Sequence, residues 1–91
     1  MNYLFKSSFT RIFKKLDFTK QSQILAAIEA LKTVLESNIT MEGLGLKRIS
    51  EELWEIRASL KDRILFIFKN ETITFVLIGN HDEVKKFLKN I

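Results

Sequence analysis

His81 is the single histidine of this 91-residue chain. Imidazole is the side chain whose ordinary ionisation lies nearest neutrality, so it can give or take a proton in phosphodiester cleavage. A set of cations could act on the same kind of substrate. Lys47 and Arg48 follow a glycine-bearing loop, Arg57 lies within an alternating run, and Lys61 precedes a second apolar run that Arg63 opens. If these runs are neighbouring strands, several cations converge on one face, where an RNA backbone would fit. Each residue also has a plainer reading. The cations can pair across strands with Glu51, Glu52 and Glu55 or stay solvated at the rim, and His81 can sit at a helix start with its ring in water. Arg57 stands between apolar neighbours in mid-strand, where an arginine needs a partner.

Other chemistries are disfavoured. One histidine and no cysteine leave no thiolate–zinc site, no disulfide and no paired-histidine spacing. Asp82 and Glu83 beside His81 could ligate a metal, but adjacent residues at a helix start point different ways. Gly43-Leu44-Gly45-Leu46-Lys47 lacks the spacing and the hydroxyl residue of a phosphate loop, and reads as a loop entering a strand. No cofactor is expected.

The elements that would position these residues follow from periodicity. Met1–Phe5 is expected as a short strand, and Ser7 or Ser8 as the cap of a first helix with Phe9, Ile12, Phe13 and Leu16 inward. A second helix is expected from Asp17 or Thr19, with an apolar stripe of Ile24, Leu25, Ile28, Leu31 and Leu35 and a stop at Asn38. Beyond Gly45 the period changes to two. Leu46–Ile49 suits a short strand. Over 53–59, Leu53, Glu55, Arg57 and Ser59 share one face and Trp54, Ile56 and Ala58 the other. Ile64–Phe68 and Ile73–Ile78, apolar on both faces, suit central strands joined by a turn at Asn70-Glu71. Asn80 or Asp82 would cap a last helix with Val84, Phe87, Leu88 and Ile91 inward and Lys85, Lys86 and Lys89 outward. Helices and strands are segregated along the chain, which predicts an α+β sheet with helices mostly on one side.

Composition sets the frame. Residues 1–91 make one domain, with no proline, no linker and no repeat. Eight phenylalanines and one tryptophan supply apolar material for a single core. The net charge of +4 favours a polyanionic partner. The absence of cysteine fits a reducing cytoplasm. The N-terminus does not read as a signal peptide, and the longest apolar run, Ile64–Phe68, is too short to span a bilayer.

Taken in order, GLGLKRISEELWEIRASLKDRILFIF and the closing IGNHDEV resemble the RelE/ParE superfamily of bacterial and archaeal toxins. Lys47, Trp54, Arg57, Arg63, Gly79 and His81 fall in its register, over about forty residues; the N-terminal half matches in pattern only. The resemblance implies an N-terminal strand and helical hairpin, a mainly antiparallel twisted sheet and a C-terminal helix. It also implies the toxin of a type II toxin–antitoxin system. RelE-type members cut mRNA on the ribosome without metal: the ribose 2′-hydroxyl attacks the adjacent phosphate and leaves a 2′,3′-cyclic phosphate. On this resemblance Arg57 and Arg63 stabilise the phosphate, His81 is the acid of the YafQ-like branch and Glu55 a candidate base. Lys47, Arg48, Lys61 and Lys85 would hold RNA. The implied partners are a cognate antitoxin, mRNA and the ribosome, with operator DNA reached only through the antitoxin complex and no membrane.

One departure stands out. Family members that cut RNA commonly carry Tyr or Phe four residues after the histidine or a little later, to stack a base; here the fourth position is Lys85, and the next aromatic, Phe87, also reads as core. Two alternatives share the fold. One is a ParE-like DNA gyrase inhibitor, which does not depend on a catalytic histidine. The other is a catalytically inactive module that still binds an antitoxin.

Overall fold

The computed structural model describes residues 1–37 and 43–90. The expected stop at Asn38 and the inward Ile91 lie outside them. The elements run β1 (Asn2–Phe5), α1 (Ser7–Lys15), α2 (Phe18–Ser37), β2 (Lys47–Arg48), β3 (Leu53–Arg57), β4 (Arg63–Lys69), β5 (Thr72–Gly79) and α3 (His81–Lys89). The five strands form one sheet in the order β1-β5-β4-β3-β2, parallel between β1 and β5 and antiparallel elsewhere. The class is α+β, with the strand, helical hairpin, twisted sheet and C-terminal helix that the sequence predicts.

The local signals mostly act as read, with two corrections. Asp17 caps α2, its carboxylate accepting from the Lys20 amide at 2.9 Å. Asn80 caps α3 in a capping box with Glu83: the Glu83 amide donates to Asn80 at 2.8 Å and the Asn80 amide to Glu83 at 2.9 Å. Asn70 and Glu71 both have positive φ, as a tight hairpin turn demands. Neither Ser7 nor Ser8 caps α1, however. Lys6 holds that position without a side-chain bond, and the Ser8 hydroxyl instead donates to the Val76 carbonyl at 2.6 Å, tying α1 to β5. Leu25 leaves the expected stripe of α2 and is exposed, because Ile24, Ala27, Ile28 and Leu31 already fill the helix face against the sheet.

A bulge decides which residues face which way. Leu65 pairs with Leu77 and Phe66 with Phe75, so Val76 is an extra residue on β5. It lets Ile73 and Phe75, then Ile78, enter the same core although their numbering changes parity. That core lies under α1 and α2, where the Phe9 and Phe75 rings pack with centroids 5.8 Å apart and Phe5 stacks on Phe75 at 5.0 Å. The Tyr3 hydroxyl fastens β1 to α2 by donating to Glu36 at 2.7 Å.

The same bulge turns Leu77 and Gly79 to the opposite face, opposite Leu65 and Arg63. There α3 lies across the sheet and buries Val84 in a second cluster with Leu53 and Leu65. The helices therefore cover both faces, two on one side and one on the other. Without α3 the apolar strand residues of the second face, Leu53, Leu65, Ile67 and Leu77, would stand in water. Gly79 permits the close seat of α3: a Cβ there would meet the Glu83 Cβ at 3.0 Å.

Candidate functional site

The second face is apolar only in its middle. Towards the C-terminal end of β3 and the start of β4 the alternation brings up Glu55, Arg57 and Arg63 in place of leucines. Arg57 and Arg63 are direct cross-strand partners. Lys47, on the short edge strand β2, is the register partner of Glu55. Helix α3 closes the side with His81, Val84, Lys85 and Leu88, and Gly45 and Ile49 complete the rim. The result is a cleft of about 330 Å³ that holds Lys47, Arg57, Arg63, Lys85, His81 and Glu55 together.

Four cations against one carboxylate make this cleft a site for an anion. Like charges opposite each other in a sheet repel, and here Glu55 offsets the repulsion. Its carboxylate lies 3.4 Å from Nη1 of Arg63, and both side chains are largely buried, at 10% and 19% exposure. Glu55 is the one buried charged residue among the described residues. The Arg63 Nε is buried as well and has no hydrogen-bond partner among them. Arg63 thus has one edge held by the protein and further donor capacity to spend on a ligand.

Arg57 is built differently. Its side chain is exposed and forms no ion pair or hydrogen bond among the described residues, while its amide donates to the Leu44 carbonyl at 2.7 Å. Gly45 makes that approach possible. It has a φ of +63°, and a Cβ there would meet the Arg57 Cβ at 3.3 Å. The loop that leads into β2 therefore presses on the stem of the arginine that heads the cleft. His81 is the first residue of α3, exposed, and lines the cleft as well as a shallower neighbouring depression.

Two sequence candidates stand apart from this cleft. Arg48 pairs in register with Trp54, so it points to the opposite face. Its guanidinium donates to the carbonyls of Ser50 and Glu51, at 3.1 and 2.8 Å, and sits 5.7 Å from the Trp54 ring centroid. Lys61 lies in the neighbouring depression of about 250 Å³, which it shares with Leu60, Arg63, Asn80, His81 and Asp82. Sequence reasoning offered Glu55 as a cross-strand partner of the cations but did not single out its pairing with Arg63. The five residues between Arg57 and Arg63 could have revealed it, because that loop length fixes the register that sets Glu55 diagonal to Arg63.

The fold has known counterparts. The toxin of the RelB–RelE antitoxin–toxin complex from Methanococcus jannaschii superposes with a TM-score of 0.68 at 19% identity, over 92% of this chain and 96% of that one. The YoeB/ParE toxin from Agrobacterium tumefaciens gives 0.67 at 11% identity, over 89% and 99%. The E. coli DinJ–YafQ toxin–antitoxin complex gives 0.60 at 10% identity, over 91% and 94%. No family model and no curated protein sequence matches the chain. The fold is therefore that of the RelE, YoeB, YafQ and ParE toxins over nearly the whole chain.

Proposed function

We propose that this chain is the toxin of a type II toxin–antitoxin pair, and that it works in the cytoplasm as an endoribonuclease on ribosome-bound mRNA. The observation that carries this reading is the cleft itself. In a chain with the toxin fold, one depression gathers a histidine, a carboxylate and four cations.

The chemistry follows from those groups. The ribose 2′-oxygen attacks the adjacent phosphorus, and the bond from phosphorus to the 5′-oxygen breaks. The 2′-hydroxyl proton passes to Glu55. The departing 5′-oxygen takes a proton from the His81 imidazolium, and the products are a 2′,3′-cyclic phosphate and a free 5′-hydroxyl. Arg57 and Arg63 face the phosphorane oxygens, where charge grows in the transition state. Lys47 and Lys85 hold the flanking backbone by charge. No step needs a metal ion.

An antitoxin partner belongs to the same reading. It would cover the cationic cleft with acidic residues, and operator DNA would be bound by the complex. Lys85 favours a second reading. It occupies the cleft wall where family members that cut RNA commonly carry an aromatic, which suits a module that binds an antitoxin without cutting RNA.

The test is cell-free translation with purified protein, with mRNA ends mapped by primer extension. Codon-phased cuts made by the wild type, and lost in His81→Ala and Arg57→Ala, are the expected result. Intact mRNA with translation unimpaired would contradict it and leave the non-catalytic module. Intact mRNA together with inhibited DNA supercoiling would point to the gyrase alternative.

A further inference from the structure

The cleft does not end at His81. It continues into the shallower depression through two shared wall residues, Arg63 and His81. That depression continues into a third, of about 400 Å³, through Leu60 and Lys61. The third is bounded by Lys20 and Gln23 of α2 and by Ser59 and Asp62 of the β3–β4 turn. Three depressions that share wall residues therefore form a row, here called the trough, from the cleft past that turn to the start of α2.

Leu60 stands at the tip and is 91% exposed, the most exposed of the large apolar residues described. It is not there because the turn is slack. The Ala58 amide donates to the Asp62 carbonyl at 2.8 Å, the Ser59 hydroxyl to the Asp62 carboxylate at 3.0 Å, and the Asp62 amide back to the Ser59 hydroxyl at 3.1 Å. Lys20 approaches the same carboxylate at 3.8 Å, which anchors the turn on α2. A turn this well fixed holds the leucine out in water, where it gains nothing from burial in the fold and stays open to a ligand. Beside it Lys61 is exposed and forms no ion pair among the described residues; of the trough's two acids, Asp62 is paired with Lys20 and Asp82, in the first turn of α3, is exposed.

We propose that this trough binds the single-stranded RNA flank of the cut site, with Leu60 packing against a base and Lys61 facing a phosphate. The inference rests on the ribonuclease reading and adds a subsite to it. An apolar contact beside a free cation is the kind of arrangement that holds single-stranded nucleic acid without reading its sequence. It also supplies, from the neighbouring depression that His81 lines, a base contact that Lys85 cannot make.

The test compares binding of fluorescein-labelled 2′-O-methyl RNAs of mixed sequence, a dinucleotide and a hexanucleotide, which cannot be cut. Leu60→Ser is expected to raise the Kd of the hexanucleotide by about tenfold, the order of one leucine-sized apolar contact. It should leave the dinucleotide unchanged. Lys61→Gln should weaken the hexanucleotide alone and reduce its salt slope by about one phosphate's worth. Arg57→Ala should weaken both RNAs. Wild-type affinity of Leu60→Ser and Lys61→Gln at both lengths would overturn the subsite and leave the cleft reading standing. An equal loss at both lengths would also overturn it, because the turn would then act through the cleft. If the wild type binds neither RNA, the subsite falls, while the ribonuclease reading is decided separately by the cleavage of mRNA in the translating extract.

Discussion

The two faces of the sheet are made by the same strands and do opposite things. The face under α1 and α2 is dry: Ile56, Ile64, Phe66, Ile73 and Phe75 are all at most 1% exposed, and helices cover it along its length. The face under α3 is covered by nine helical residues only, and at its open end the leucines give way to Glu55, Arg57 and Arg63. Stability is concentrated on the first face. The second gives up apolar area at one end and gains a charged cleft there. Strand alternation lets one run of residues serve both, since each side chain of β3 that builds the core places its neighbour in the cleft.

Substitutions should respect that division. The largest stability effect belongs to the covered face. Phe75→Ala removes the ring that contacts Phe5, Phe9 and Phe66, and should cost about 3–5 kcal/mol in denaturant unfolding. His81→Ala on the other face should change unfolding by no more than about 0.5 kcal/mol while lowering cleavage by about 10²–10⁴-fold. If His81→Ala instead unfolded the protein, the division would be broken.

The buried pair joins the two behaviours. Arg63→Ala strands the Glu55 carboxylate and should cost about 3 kcal/mol besides activity, whereas the double change Glu55→Leu with Arg63→Met should recover most of the stability and none of the activity. Equal stability of the single and double variants would mean that the pair is not coupled. Gly79→Ala should cost about 1–3 kcal/mol, because its Cβ would meet Glu83 at 3.0 Å and push α3, with His81, off the sheet.

The smallest effect concerns alkaline pH. Burial first, then the hydrogen bond to Glu36, push the Tyr3 hydroxyl from 10.0 up to about 12. The neutral form is the one the fold favours, so this contribution is complete below pH 10 and is lost as pH rises through about 12. Tyr3→Phe should lose about 1 kcal/mol at neutral pH and show a shallower fall in stability above pH 10. A parallel fall in both proteins would place the alkaline sensitivity elsewhere.

Much of this was legible in the sequence. The alternation of residues 53–59 put Glu55 and Arg57 on one face and Trp54 and Ile56 on the other, and the structure keeps that division. Side-chain chemistry narrowed two helix starts to a pair of residues each, Asp17 or Thr19 and Asn80 or Asp82, and the structure selects Asp17 and Asn80. What stayed hidden depends on partners distant in sequence. Ser8 looks like a cap until β5 supplies the Val76 carbonyl, and Leu25 looks buried until Ile24 and Ile28 take its place against the sheet. Arg48 and Lys47 are adjacent, so a strand of two residues sends one to the cleft and the other away, and nothing local says which. The bulge at Val76 is equally silent, since a run apolar on both faces has no alternation to interrupt.

The most direct measurement of the central claim is the chemistry of the end left on the RNA. Transcripts recovered from a translating extract treated with the wild-type protein, and examined by mass spectrometry, should carry a 2′,3′-cyclic phosphate upstream of each cut and a 5′-hydroxyl downstream. Both should vanish in His81→Ala at unchanged melting temperature. A 3′-hydroxyl with a 5′-phosphate, or cuts that persist without His81, would contradict the account.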